Sequence, residues 1–122
     1  MFENSPSLAY VLESRRGVVI NRIPTKRIIE ARRLLVTVNL EDKLYEALDI
    51  IEKEYREKPW LLSGKSSAFL LSGLIYIIAR ENGKWLTQQE IADSFGCTPV
   101  TVRHSYQFWV STLGIDTSRW YV

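Results

Sequence analysis

The sequence predicts an all-α protein: a single domain of five helices containing a helix-turn-helix, preceded by a short N-terminal arm. Three observations carry this. Five segments place apolar residues at helical spacing. Ser, Thr, Asn, Gly and Pro stand where helices start and stop. Neither a pair of alternating strand segments nor an internal repeat is present in the sequence.

Residues 1–24 form the arm. Within it GVVINRI, between Gly17 and Pro24, has the β-branched content of a short strand but no partner strand follows. It reads equally as a segment that packs on the helices or orders on binding. The helical domain spans residues 25–115 and a tail covers 116–122. The first helix runs from Thr25 to Val38, with Ile28, Ile29, Ala31, Leu35, Val36 and Val38 apolar and Lys26, Arg27, Arg32 and Arg33 on the polar side.

Asn39 suits the N-cap of the second helix, in which Leu40, Leu44, Ala47, Leu48, Ile51 and Tyr55 share a face and acids fill the first turn. Glu52, Glu54 and Glu57 alternate with Lys53, Arg56 and Lys58, the pattern of an exposed, salt-bridged face. Pro59 ends this helix, and PWLLSGK reads as a loop. Ser66 or Ser67 then caps SSAFLLSGLIYIIAREN, which is apolar on most sides and is expected to be the central helix. Gly73 in its middle costs about 1 kcal/mol relative to Ala, so another helix is expected to approach closely there.

Thr87 and Glu90 form a capping box for a fourth helix starting at Gln88 and stopped by Gly96. Thr98 caps the fifth, with Pro99 at the first position, where its missing N–H is harmless. Val102, Tyr106, Trp109 and Leu113 point inward and Gly114 ends the helix. Trp60, Trp85 and Trp120 are expected to pack in the core rather than mark a partner surface.

Composition excludes several functions. With 46% apolar and 25% charged residues in 122, the chain suits one ordinary core. Cys97 has no second cysteine to pair with, and Cys97 with His104 falls short of a four-ligand zinc site, so neither a disulfide, a metal nor a cofactor is expected. The longest apolar run, Ala68 to Ala79, is too short and interrupted to span a bilayer. No secretory signal is evident at the N-terminus, which points to the cytoplasm and its nucleoid, or to a nucleus in a eukaryotic cell. Ser63-Gly64-Lys65-Ser66 lacks the preceding glycine of a phosphate-binding loop, where Pro59 stands instead. No convergent carboxylates or nucleophile–base pair emerge, and no enzymatic activity is expected.

Net charge is only +2, unevenly placed: residues 1–40 hold seven Lys and Arg against three acids, residues 41–60 four against seven. The pattern is that of a basic N-terminal region and an acidic second helix.

The last two helices meet the requirements of a DNA-binding helix-turn-helix. Counted from Gln88, Ala92 at position five is small where the helices cross, Gly96 at nine supplies the positive φ of the turn, and Val102 at fifteen seats the second helix. A helical corner that packs and reads nothing meets them too. If the start of the fifth helix enters a major groove, Thr98, Pro99, Val100, Arg103, His104 and Gln107 face the DNA, with Val100 placed for a thymine methyl and Arg103 for a guanine edge.

LTQQEIADSFGCTPVTVRHSYQF, with SGKSSAFLLSGLIYIIAR ahead of it, resembles the second cyclin-type repeat of transcription factor IIB and its archaeal counterpart. The resemblance covers roughly residues 25–115 and implies one five-helix cyclin-like fold. It also implies that Val100 and Arg103, in VT-x-R, read the DNA element beside the TATA box. Thr98, Thr101, His104 and Gln107, on the same helix, are further candidate contacts. Lys65 and Ser66 match the helix start near the DNA backbone in that family, and Arg32 and Arg33 add candidate phosphate contacts. The implied partners are double-stranded DNA and the TATA-binding protein or another transcription or regulatory protein. Ser67 stands where the family pattern has proline, and the single cysteine provides no zinc ribbon. The expected function is DNA binding in transcription initiation or its regulation. The alternatives are a cyclin-type adaptor that binds protein without reading DNA and, more remotely, a dimeric repressor.

Overall fold

A computed structural model describes residues 23–121, apart from the side chains of residues 119 and 121. Of the arm or strand expected over residues 1–24, residues 1–22 lie outside them; Ile23 is buried in the core and Pro24 leads directly into the first helix. The described chain is helical: α1 (Thr25–Thr37), a 3-10 turn (Glu41–Lys43), α2 (Leu44–Glu57), α3 (Pro59–Leu62), α4 (Ser67–Glu81), α5 (Gln88–Phe95), α6 (Pro99–Leu113) and a second 3-10 turn (Ser118–Tyr121). No strand occurs among the described residues, as the sequence predicts, and the five long helices lie where its periodicity puts them.

Two boundaries differ from expectation. PWLL is not loop but the single-turn helix α3, opened by Pro59 at a position that tolerates proline, with Leu62 driven into the core. Asn39 does not cap α2. It adopts φ 60°, a left-handed conformation that asparagine tolerates, and ends α1; the Leu40 amide then donates back to the Leu35 carbonyl at 2.8 Å. Asparagine serves both roles, and burial of Leu40 selects this one.

The core forms around α4. Ala68 and every residue from Leu70 to Ala79 are buried, so no side of the helix is free for polar residues. Ser66 caps it, its hydroxyl accepting from the Phe69 amide at 3.0 Å. α1 packs on α4 and α5, and α2 packs on α3 and α4. α1 buries Ile28, Ala31, Leu34 and Leu35, while Ile29 and Val36, expected on its apolar side, are each 45% exposed.

α4 and α6 cross at Gly73. A methyl group there would overlap Ser105 and the Tyr106 amide, which accounts for glycine in an otherwise apolar helix. The Ser105 hydroxyl donates to the Phe69 carbonyl and accepts from the Gly73 amide at 3.0 Å. One turn on, Trp109 Nε1 donates to the Leu70 carbonyl at 2.9 Å. Both side chains are fully buried, so these bonds satisfy polar atoms that would otherwise be costly.

Two expectations about the surface are overturned. Glu52 and Glu54 are not part of an exposed face but buried, at the two borders of the apolar stripe of α2; Glu52 lies 3.3 Å from Arg56. Trp60 and Trp85 are 69% and 65% exposed rather than in the core. On the one-turn α3 only Leu62 reaches inward, and Trp85 is held instead by stacking on Arg80. Trp120 is buried as expected: it packs against Tyr76 and Tyr106, and its Nε1 donates to Glu81.

Candidate nucleic-acid interface

α5 and α6 are built by short-range signals. The Thr87 hydroxyl accepts from the Glu90 amide at 3.0 Å and the Glu90 carboxylate from the Thr87 amide at 2.8 Å, completing the capping box. Ile91, Ala92 and Phe95 are buried and fix the roll of α5. Gly96 takes φ 68°, where a side chain would be strained, and the Cys97 amide returns to the Ala92 carbonyl at 3.0 Å. Thr98 caps α6, its hydroxyl accepting from the Thr101 amide at 3.2 Å. Gly114, also left-handed, ends the helix.

A contact from outside the motif secures the turn. Arg27 of α1 donates to the Phe95 carbonyl at 3.0 Å and to Glu30 at 2.7 Å. The sequence places Arg27 on a polar face and carries no signal of this bond, which spans 68 residues. Cys97 lies half-buried in the turn. Burial pushes its thiol pKa up and the Arg27 charge acts against that shift, leaving a thiol rather than a thiolate.

With Val102, Ser105 and Trp109 buried, α6 turns Val100, Arg103, His104 and Gln107 outward. Their spacing of three, four and seven puts them on one continuous face. Val100 is 46% exposed, and no described carboxylate pairs with Arg103. The face therefore offers an unspent guanidinium, an amide and an imidazole beside one apolar contact. Those groups suit the donors, acceptors and methyl groups of a major groove.

The remaining candidates divide. Thr98 and Thr101 stand at the start of α6 with their hydroxyls 3.2 Å apart, that of Thr98 capping the helix. Pro99 is half-buried. Lys65 comes to the flank of α6: its ammonium lies 5.0 Å from the centre of the Phe108 ring and 5.7 Å from that of Phe69. Ser66 beside it is exposed, with its hydroxyl engaged in capping α4. Arg32 and Arg33 sit apart on α1; Arg32 reaches Glu41 at 3.3 Å, and Arg33 is exposed.

Comparison with known proteins returns archaeal transcription initiation factors IIB. The chain is 42% identical to that of Pyrococcus horikoshii over 69 residues, 57% of this chain and 22% of the relative. It is 46% identical to that of Sulfurisphaera tokodaii over 70 residues, 57% of this chain and 22% of the relative. With the factor of Aeropyrum pernix it shares 37% identity over 71 residues, 58% of this chain and 21% of the relative. These similarities establish a relationship to archaeal transcription initiation factor IIB, of which the matched stretch spans about a fifth. No family model and no solved structure matches the chain.

Proposed function

We propose that this chain is a DNA-binding protein of transcription initiation or its regulation, reading a short duplex site with α6. The observation that carries the reading is the exposed face of Val100, Arg103, His104 and Gln107, without an ion pair among the described residues, on a helix-turn-helix with both helices capped. The similarity to initiation factors IIB supports the process in which it acts.

In this reading Arg103 hydrogen-bonds a guanine edge, Val100 packs on a thymine methyl, and Gln107 and His104 extend the contact along the groove. Lys65, held against Phe69 and Phe108, contacts phosphate as a positioned point charge. Arg33 is a peripheral phosphate contact; Arg32 has to leave Glu41 to act as one. The TATA-binding protein, or another transcription protein, is the proposed protein partner.

Repeated binding and amplification of a random duplex pool tests the reading. A short common site should emerge with the wild-type protein. Retention of the pool without enrichment would leave only sequence-independent binding. The adaptor reading finds support in Trp60, whose indole is 69% exposed on α3, as aromatic hot spots are. A co-purifying protein lost in Trp60→Ala, with no DNA binding at low salt, would favour that alternative.

A further inference from the structure

The exposure of Trp85 is not used by the recognition helix and has its own supporting structure. Its ring lies over the Arg80 guanidinium, whose central carbon is 3.5 Å from the indole centre. The same guanidinium lies 4.7 Å from the centre of the Tyr76 ring, and Tyr76 stacks on Tyr106 of α6 at 4.5 Å and 26°. Tyr106, Tyr76, Arg80 and Trp85 thus form a continuous stack that starts on the Arg103 side of α6 and ends at an open indole face. A chain of rings and a planar cation holds that indole in place, so little rotamer freedom remains to be lost when something stacks on it.

The charges around it point to the occupant. No described carboxylate pairs with Arg80, whose Nε is buried between the rings without a hydrogen-bond partner. Lys84 is exposed and likewise unpaired among the described residues. Glu81, the nearest acid in sequence, accepts from Trp120 instead. The exposed residues on either side, Glu81, Asn82, Gly83, Thr87, Gln89 and Glu90, are polar, charged or lack a side chain, with the Glu90 carboxylate taken up by the Thr87 amide, so the apolar area that a protein interface needs at its centre is missing. One open aromatic face beside two cations that form no ion pair with a described carboxylate matches a nucleotide: a base to stack and a phosphate to contact.

We propose that Trp85, backed by Arg80, is a stacking platform for an unpaired base of a nucleic-acid strand, with Arg80 and Lys84 contacting the adjoining phosphate. The inference rests on the duplex reading above and extends it, placing a single-stranded segment next to the duplex on α6.

The test measures anisotropy of labelled DNA at low salt with a blunt duplex, the same duplex carrying a single-stranded overhang, and a single-stranded oligonucleotide alone. Wild type is compared with Trp85→Ala, Trp85→Phe and Arg103→Ala, each checked for an unchanged helical circular dichroism spectrum. The overhang is expected to tighten wild-type binding about 5- to 100-fold. Trp85→Ala should abolish that gain, Trp85→Phe keep most of it, and Arg103→Ala leave it intact while losing sequence preference. An overhang without effect, or an equal loss on blunt and overhang duplexes in Trp85→Ala, overturns the platform; a co-purifying protein lost in Trp85→Ala alone overturns it in favour of a protein contact. Single-strand binding that depends on Trp85, with no duplex binding, sustains the platform and sinks the duplex reading. Sequence-dependent duplex binding with no overhang effect does the reverse.

Discussion

Position 105 accepts a hydroxymethyl group and little else. Its oxygen bonds the Phe69 carbonyl and the Gly73 amide, and its backbone approaches Gly73 so closely that no side chain fits opposite. Gly73→Ala raises helix propensity by about 1 kcal/mol but overpacks the crossing. We expect a net loss of about 1–3 kcal/mol in denaturant unfolding, not recovered in Gly73→Ala/Ser105→Gly because the backbone of Ser105 and Tyr106 still fills the space. A stabilised Gly73→Ala would show that the helices part easily. The glycine was legible as a misfit in an apolar helix, but its partner was not: Ser105 sits beside the inward positions Val102 and Tyr106 and carries no apolar signal of its own. Trp85 was misjudged for a related reason. An aromatic reads as core by composition, and only the three-dimensional stack on Arg80 accounts for its exposure.

Among elements, α5 and α6 were the most legible because a cap, a Pro at the first position and a left-handed Gly act within a few residues of themselves. Their loss should therefore be local and modest. Thr87→Ala and Thr98→Ala are each expected to cost about 1 kcal/mol in chemical denaturation. Thr98→Ala should also weaken specific DNA binding, because the cap aims α6, whereas Thr87→Ala should affect stability more than sequence preference. A Thr98→Ala protein with full stability would mean that the cap is dispensable. The start of α2 was misread because the decision is not local: Asn39 has two favourable conformations, and burial of Leu40 against the rest of the core chooses between them. The one-turn helix α3 is shorter than any hydrophobic period and left no periodic signal.

Over the whole molecule, a net charge of +2 leaves little long-range attraction for DNA, so binding on this account depends on a few placed cations. Lys65→Ala should weaken all duplexes alike and reduce the slope of log affinity against log salt by about 1, without changing which sequence is preferred. An unchanged slope would remove Lys65 from the phosphate contacts. The candidate reading face was legible because one helix carries it and its periodicity separates inside from outside. The placement of Lys65 against α6 was not legible from periodicity, since it depends on how α4 crosses α6, and it entered through family resemblance alone.

The central claim is that α6 reads sequence through Arg103. Anisotropy titrations of wild type and Arg103→Ala against the selected site and a scrambled duplex, at low and moderate salt, test it most directly. Wild type should prefer its site, and Arg103→Ala should lose about 1–3 kcal/mol of that preference while keeping its salt dependence. Equal affinity of the two proteins for both duplexes would contradict the claim.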